Sequence, residues 1–129
     1  MTDDSYDFEN HTSLEEYEQF VTSLASPRSM ATFEARLGTA GLGLAGESGE
    51  CADLVKKVLY HELEFTDEVR QKLIGEAGDL LWYIAFLARN ILDVSIQEII
   101  DKNVEKLRSR YPTGQFRHED FMKKENKKE

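Results

Sequence analysis

One cysteine, two prolines and no long apolar run are the conspicuous shortages of this 129-residue chain. The lone Cys51 excludes an internal disulfide and any multi-cysteine zinc or iron–sulfur site, and it fits a reducing compartment, with the cytoplasm as the default. The strongest apolar stretch, Leu80 to Ala88, falls far short of the ~20 residues that a membrane-spanning helix requires. No basic segment leads into an apolar one at the acidic start MTDDSYDFEN, so a soluble, unexported protein is expected. Positive charge is scarce too: 16 Lys+Arg stand against 25 Asp+Glu, a formal net charge of −9 with a pI near 4.9. Such a chain repels phosphate backbones and anionic lipid, which excludes nucleic acid and membrane surfaces as first partners.

What is present suffices for one folded domain. The length fits the roughly 100–200 residues of a single domain, and 40% hydrophobic content rules out wholesale disorder. Residues 1–12 read as a flexible acidic lead-in, 13–116 as the folded domain and 117–129 as a charged C-terminal tail. Ser13 with Glu16 forms a capping box ahead of Leu14, Tyr17, Val21 and Leu24 at helical spacing, and Pro27 ends that helix. A second helix is expected from about Ala31 to Tyr60 and a third from the cap Thr66 to about Leu92. Ser95 with Glu98 opens a fourth, carrying Ile99, Ile100, Val104 and Leu107 and stopping before Pro112. No segment alternates long enough for a strand, so the fold class is all-α, a bundle of four main helices.

The informative residues are acidic. Glu47 and Glu50 share a helical arc with Leu54 and Val58, and Glu76 and Asp79 flank the direction of Leu80, Tyr83 and Leu87. Both pairs are therefore aimed at the interior or at a cleft between helices, and four buried carboxylates would repel one another and lose hydration at several kcal/mol each. A cation must then sit among them. Hard divalent ions prefer oxygen ligands, so Mg²⁺ or Mn²⁺ is expected. Zinc is disfavoured by the scattered His11, His61 and His118, and a di-iron site by the absence of a histidine three residues after Glu47 or Glu76.

Seven of the eight glycines lie in the two long helical patterns, and Gly46, Gly49, Gly75 and Gly78 interleave with the acids, as expected if backbones approach closely there. Gly41, Gly43 and Gly46 also spell a dinucleotide-binding fingerprint, but no strand precedes them, so that reading is set aside. Lys57, seven residues after Glu50, faces the same way, whereas Lys56 is expected to point away. Asn103, Lys106 and Arg110 share one face of the fourth helix, fit to close over a triphosphate. Tyr83 beside the acids and Asn90 seven residues on are candidates to stack on a base and to bond its edge.

The strings GESGECADLVKK, GEAGDLLWYIA and NVEKLRSRYPTGQF resemble the MazG-like all-α nucleoside triphosphate pyrophosphohydrolases, relatives of the dimeric dUTPases. The family pattern is Glu-x-x-Glu followed, after a helix–loop–helix interval, by Glu-x-x-Asp, and the resemblance runs from Ala31 to Phe116. It implies Glu47, Glu50, Glu76 and Asp79 as Mg²⁺ ligands, and Lys57, Asn103, Lys106 and Arg110 as phosphate contacts. It also implies a homodimer or homotetramer whose neighbouring chains help build the base pocket. Many relatives begin the first motif with two adjacent glutamates, whereas Gly46 precedes Glu47 here, so Glu47 or Glu50 has to activate the water. The expected reaction converts a nucleoside triphosphate, such as a deoxynucleotide, to the monophosphate and pyrophosphate. The rival expectation is a non-catalytic helical scaffold dimer with a structural metal.

Overall fold

The computed structural model describes residues 11–127, so the expected acidic lead-in falls almost wholly outside them. Among the described residues there are six α-helices and no strand. These are α1 (Leu14–Leu24), α2 (Pro27–Met30), α3 (Phe33–Tyr60), α4 (Asp67–Leu87), α5 (Ile96–Arg110) and α6 (His118–Asn126), with a π-helical turn, Ala88–Leu92, continuing α4. Among the described residues no helix is long and apolar enough to cross a membrane.

Side-chain caps set the helix starts. The Ser13 hydroxyl accepts from the Glu16 N–H, Ser26 from Ser29, Thr32 from Ala35 and Thr66 from Val69, each relieving one donor that a first helical turn leaves unpaired. Pro27 ends α1 and also opens α2 at its first position, where its missing N–H costs nothing. The second long helix therefore starts at Phe33, behind its own cap Thr32, and not at Ala31. The third closes its α-helical part at Leu87 before the wider turn, and Asp93 then leaves it in the left-handed region at φ 53°. The stretch expected as a charged tail carries α6, with its acids Glu119 and Asp120 in the first turn and Lys123 and Lys124 in the last, each where the helix dipole favours it.

The chain divides into two units, residues up to Ile96 and residues from Gln97. In the first, α3 packs along α4, and α1 lies against α4 and its π turn. The core is small: Val21, Ala40, Ala85, Phe86 and Ile96, flanked by Tyr17, Trp82 and Ile91 among others. Trp82 stacks on Phe86 with ring centroids 5.5 Å apart. One acid is buried with this core. Glu18 is 2% exposed, and its carboxylate accepts from Arg89 Nε at 2.9 Å, from Arg89 Nη2 and from the backbone N–H of Ile96. In the second unit a turn with Gly114 at φ +76° joins α5 to α6, and Phe116 lies between Tyr111 and Phe121 at 5.6 and 6.4 Å.

Candidate metal centre

α3 and α4 run antiparallel, and the residues that meet across them give the register. Gly43 lies under the ring of Tyr83, Glu47 meets Glu76 and Asp79, and towards the connecting loop Val55, Val58 and Leu59 enclose a small apolar cavity with Phe65 and Leu73. Residues three and four apart share a helix face. Gly43, Glu47 and Glu50 therefore form one stripe, and Glu76, Asp79 and Tyr83 form the stripe opposite.

Single carboxylate oxygens of Glu47, Glu76 and Asp79 all lie within 4.8 Å of one another. Oxygens on opposite sides of a Mg²⁺ ion, each ~2.1 Å from it, stand about 4.2 Å apart, so this all-oxygen set fits one hard cation shared by two helices. The Glu47 carboxyl is held above the usual carboxylate range, first by lost hydration, then by a hydrogen bond with Glu76 and the negative charges of Asp79, Glu76 and Glu50. A cation at this point relieves all of these at once.

Glu50 is not one of the three oxygens that converge. Its charge is felt by Glu47 and also by Lys57, whose ammonium sits 2.7 Å from Asp53 Oδ2. Lys56, expected to point away, holds the other oxygen of the same carboxylate at 3.0 Å. Asp53 thus organises both lysines, and they hold its carboxyl below the usual range, chiefly through hydrogen bonds from Lys57 and Lys56.

Acids from both pairs meet between two helices, one of the two directions expected, but they are not fully buried: Glu47 and Glu76 are half-buried, and Glu50 and Asp79 are exposed. The apolar arc of α3 is wider than the surface packed against it, and of its 28 residues only Ala40 is fully buried. The glycines beside the acids do not mediate close backbone contact either. A Cβ at Gly46, Gly49, Gly75 or Gly78 would meet nothing within 4 Å, whereas one at Gly43 would lie 2.1 Å from the Tyr83 ring. Tyr83 is therefore beside the acids, as counted, but its ring rests on Gly43 and edge-on to Trp82 at 5.0 Å.

Asn90 does not join Tyr83. Its Nδ2 donates to Thr22 Oγ1 at 3.4 Å, in a cleft lined by Glu15, Gln19 and Arg89 that contains none of the four acids. The cause is the π turn, which winds more residues per turn and rotates Asn90 away from the direction that 3.6-residue counting gives. Asn103, Lys106 and Arg110 all lie on α5 in the second unit, where Lys106 and Arg110 line a cavity with residues of α6.

Two neighbours of the site were not singled out from sequence. Asp53 lies outside both acidic pairs, so their spacing does not mark it. Tyr17, on the apolar arc of α1, donates weakly from its hydroxyl to Gly78 O at 3.5 Å, and its phenol is pushed up by burial and then by the charge of Asp79. Its place on an apolar arc read only as core.

Over 74 residues the chain is 45% identical to the Gene 37 protein of Mycobacterium phage L5, covering 57% of this chain and 64% of that protein, so it spans less than two thirds of the relative's length. No solved structure matches it. Residues 37–115, well over half of the chain and including both acidic pairs, match the MazG nucleotide pyrophosphohydrolase domain. On that match the chain belongs to the MazG nucleotide pyrophosphohydrolase family.

Proposed function

We propose that this protein hydrolyses a nucleoside triphosphate, a deoxynucleotide by preference, to the monophosphate and pyrophosphate in a Mg²⁺-dependent reaction that Mn²⁺ also supports. The observation that carries the reading is the convergence of Glu47, Glu76 and Asp79 from two helices inside the family segment. These three would hold the divalent ion, with Glu50 completing the set from the next turn of α3. When bound, the ion supplies charge neutralisation and orientation of the phosphates.

The remaining steps belong to side chains. Glu50, beside Glu47 yet outside the converging three, or Glu47 itself, orients the attacking water and takes its proton. Lys57, Asn103, Lys106 and Arg110 meet the charge that builds up on the departing pyrophosphate. Tyr83, beside the acids, is assigned to the base, in a pocket completed by a second copy of the chain, whereas Asn90, turned towards Thr22, is not. Large apolar side chains left open on α3, such as Leu42 at 78% and Leu59 at 64% exposure, favour a homodimer or homotetramer. The free Cys51 suits a cytoplasmic setting.

A panel of nucleoside triphosphates with Mg²⁺ in ¹⁸O-labelled water tests this. Pyrophosphate and monophosphate are expected without accumulating diphosphate, and turnover is expected to fall at least about 100-fold in Glu47→Ala. Label in the monophosphate reports attack at the α phosphorus, the expected position, and label in pyrophosphate reports attack at β. Orthophosphate with diphosphate as first products refutes the assignment. Absence of turnover with every nucleotide leaves the scaffold reading.

A further inference from the structure

Charge is divided unevenly between the two units. Residues 1–96 hold 7 Lys+Arg against 18 Asp+Glu, a net −11, whereas residues 97–129 hold 9 against 7, a net +2. Within the second unit the positive charge is gathered around one cavity of about 290 Å³ between α5 and α6. Lys106 and Arg110 are one turn apart on α5. Asp120, Lys123, Lys124 and Lys127 fall at i, i+3, i+4 and i+7, the spacing of a single face along α6 and the residue after it. Five cations thus converge on one cavity in a protein that is acidic elsewhere.

Asp120 also lines the cavity, but it is only 8% exposed, and its Oδ2 is closed off from solvent with Arg117 Nε 3.8 Å away.

We propose that this cavity is a polyphosphate-binding site, taking the phosphate chain of a nucleotide or free pyrophosphate. Lys106 and Arg110 hold phosphate oxygens from α5, and Lys123 on α6 and Lys127 just after it hold them from the other side of the cavity. The proposal rests on reading Lys106 and Arg110 as phosphate contacts, but not on the metal centre. It extends the phosphate site to α6, which lies outside the family segment of residues 37–115. A small, walled cavity suits a di- or triphosphate better than a strand of nucleic acid, which the −11 of the first unit would repel.

The test is titration of the full chain with sodium pyrophosphate, and separately with a nucleoside diphosphate, in chelator-treated, metal-free buffer. Submillimolar binding is expected, weakening at least tenfold in Lys123→Gln/Lys127→Gln. It should be unchanged in Lys72→Gln/Lys102→Gln, which removes as much charge from outside the cavity. Failure of the wild type to bind either ligand, equal binding by both lysine pairs, or tighter binding of a single-stranded oligonucleotide that displaces pyrophosphate would overturn the proposal. Glu47→Ala should keep metal-free binding, so loss of turnover with binding intact indicts the metal centre alone, and turnover with no binding indicts this site alone.

Discussion

Replacing Gly43 by alanine probes the contact that sets the spacing of the two metal-bearing helices. The new Cβ would lie 2.1, 2.2 and 2.5 Å from three atoms of the Tyr83 ring, far inside van der Waals contact. Either the helices part by about 1 Å or the ring swings out and forfeits its edge contact with Trp82, itself worth ~0.5–1.5 kcal/mol. Overpacking of this kind costs about 1–3 kcal/mol. Alanine also favours a helix over glycine by ~1 kcal/mol, which blurs the result for one variant. Gly46→Ala gains the same propensity, and its Cβ meets nothing within 4 Å, so the difference between the two variants isolates the clash. Urea unfolding should place Gly43→Ala about 1–3 kcal/mol below Gly46→Ala. The double variant Gly43→Ala/Tyr83→Ala should recover part of the gap, since neighbours in contact are non-additive. Because Glu47 follows Gly43 by one turn, Gly43→Ala should also weaken divalent-ion binding. Equal stability of the two single variants would refute the register.

Arg89→Met should destabilise by about 2–3 kcal/mol, below the full cost of breaking a buried pair because the Arg89 side chain is 36% exposed, while Glu18 is left buried with only the Ile96 N–H; a melting temperature within 1–2 °C of wild type, well under the roughly 2–4 °C per kcal/mol of larger domains, would contradict this. Mg²⁺ at 100 times its dissociation constant should stabilise the wild type by about 2.7 kcal/mol, read as a raised melting temperature, and should leave Glu47→Ala unmoved. Asp53 is held below the ordinary carboxylate range by Lys57 and Lys56, so its contribution to stability is present above the unfolded-state value and lost as pH falls through the lowered one. The melting-temperature gap between wild type and Asp53→Asn should therefore close on acidification below about pH 4, and a gap that widens there would reverse the sign of the argument.

Local chemistry was legible along the chain. Ser13 and Thr66 cap the helices they precede, because a cap needs only its own next three residues. Each acidic pair could be placed on one arc of its own helix because helical periodicity fixes direction without reference to any other element. The extent of burial could not, since exposure depends on which other surfaces arrive, and in a single chain α3 is covered along only part of its apolar arc.

The sequence by itself thus determined the four longest helices, the caps Ser13 and Thr66, the all-α class and the identity of the acids, but neither α2 nor α6. These follow from short-range hydrogen bonding and 3.6-residue periodicity. Tertiary structure alone decided that three of the four carboxylates converge, that Gly43 and not the glycines beside the acids carries the close approach, and that Asn90 is turned into another cleft by a π turn. It alone paired Glu18 with Arg89, 71 positions away, and brought the α6 lysines round Asp120. The physical reason is range: a residue's own neighbours set its direction on a helix, but only the packing of whole helices sets the distances between charges, on which the chemistry depends.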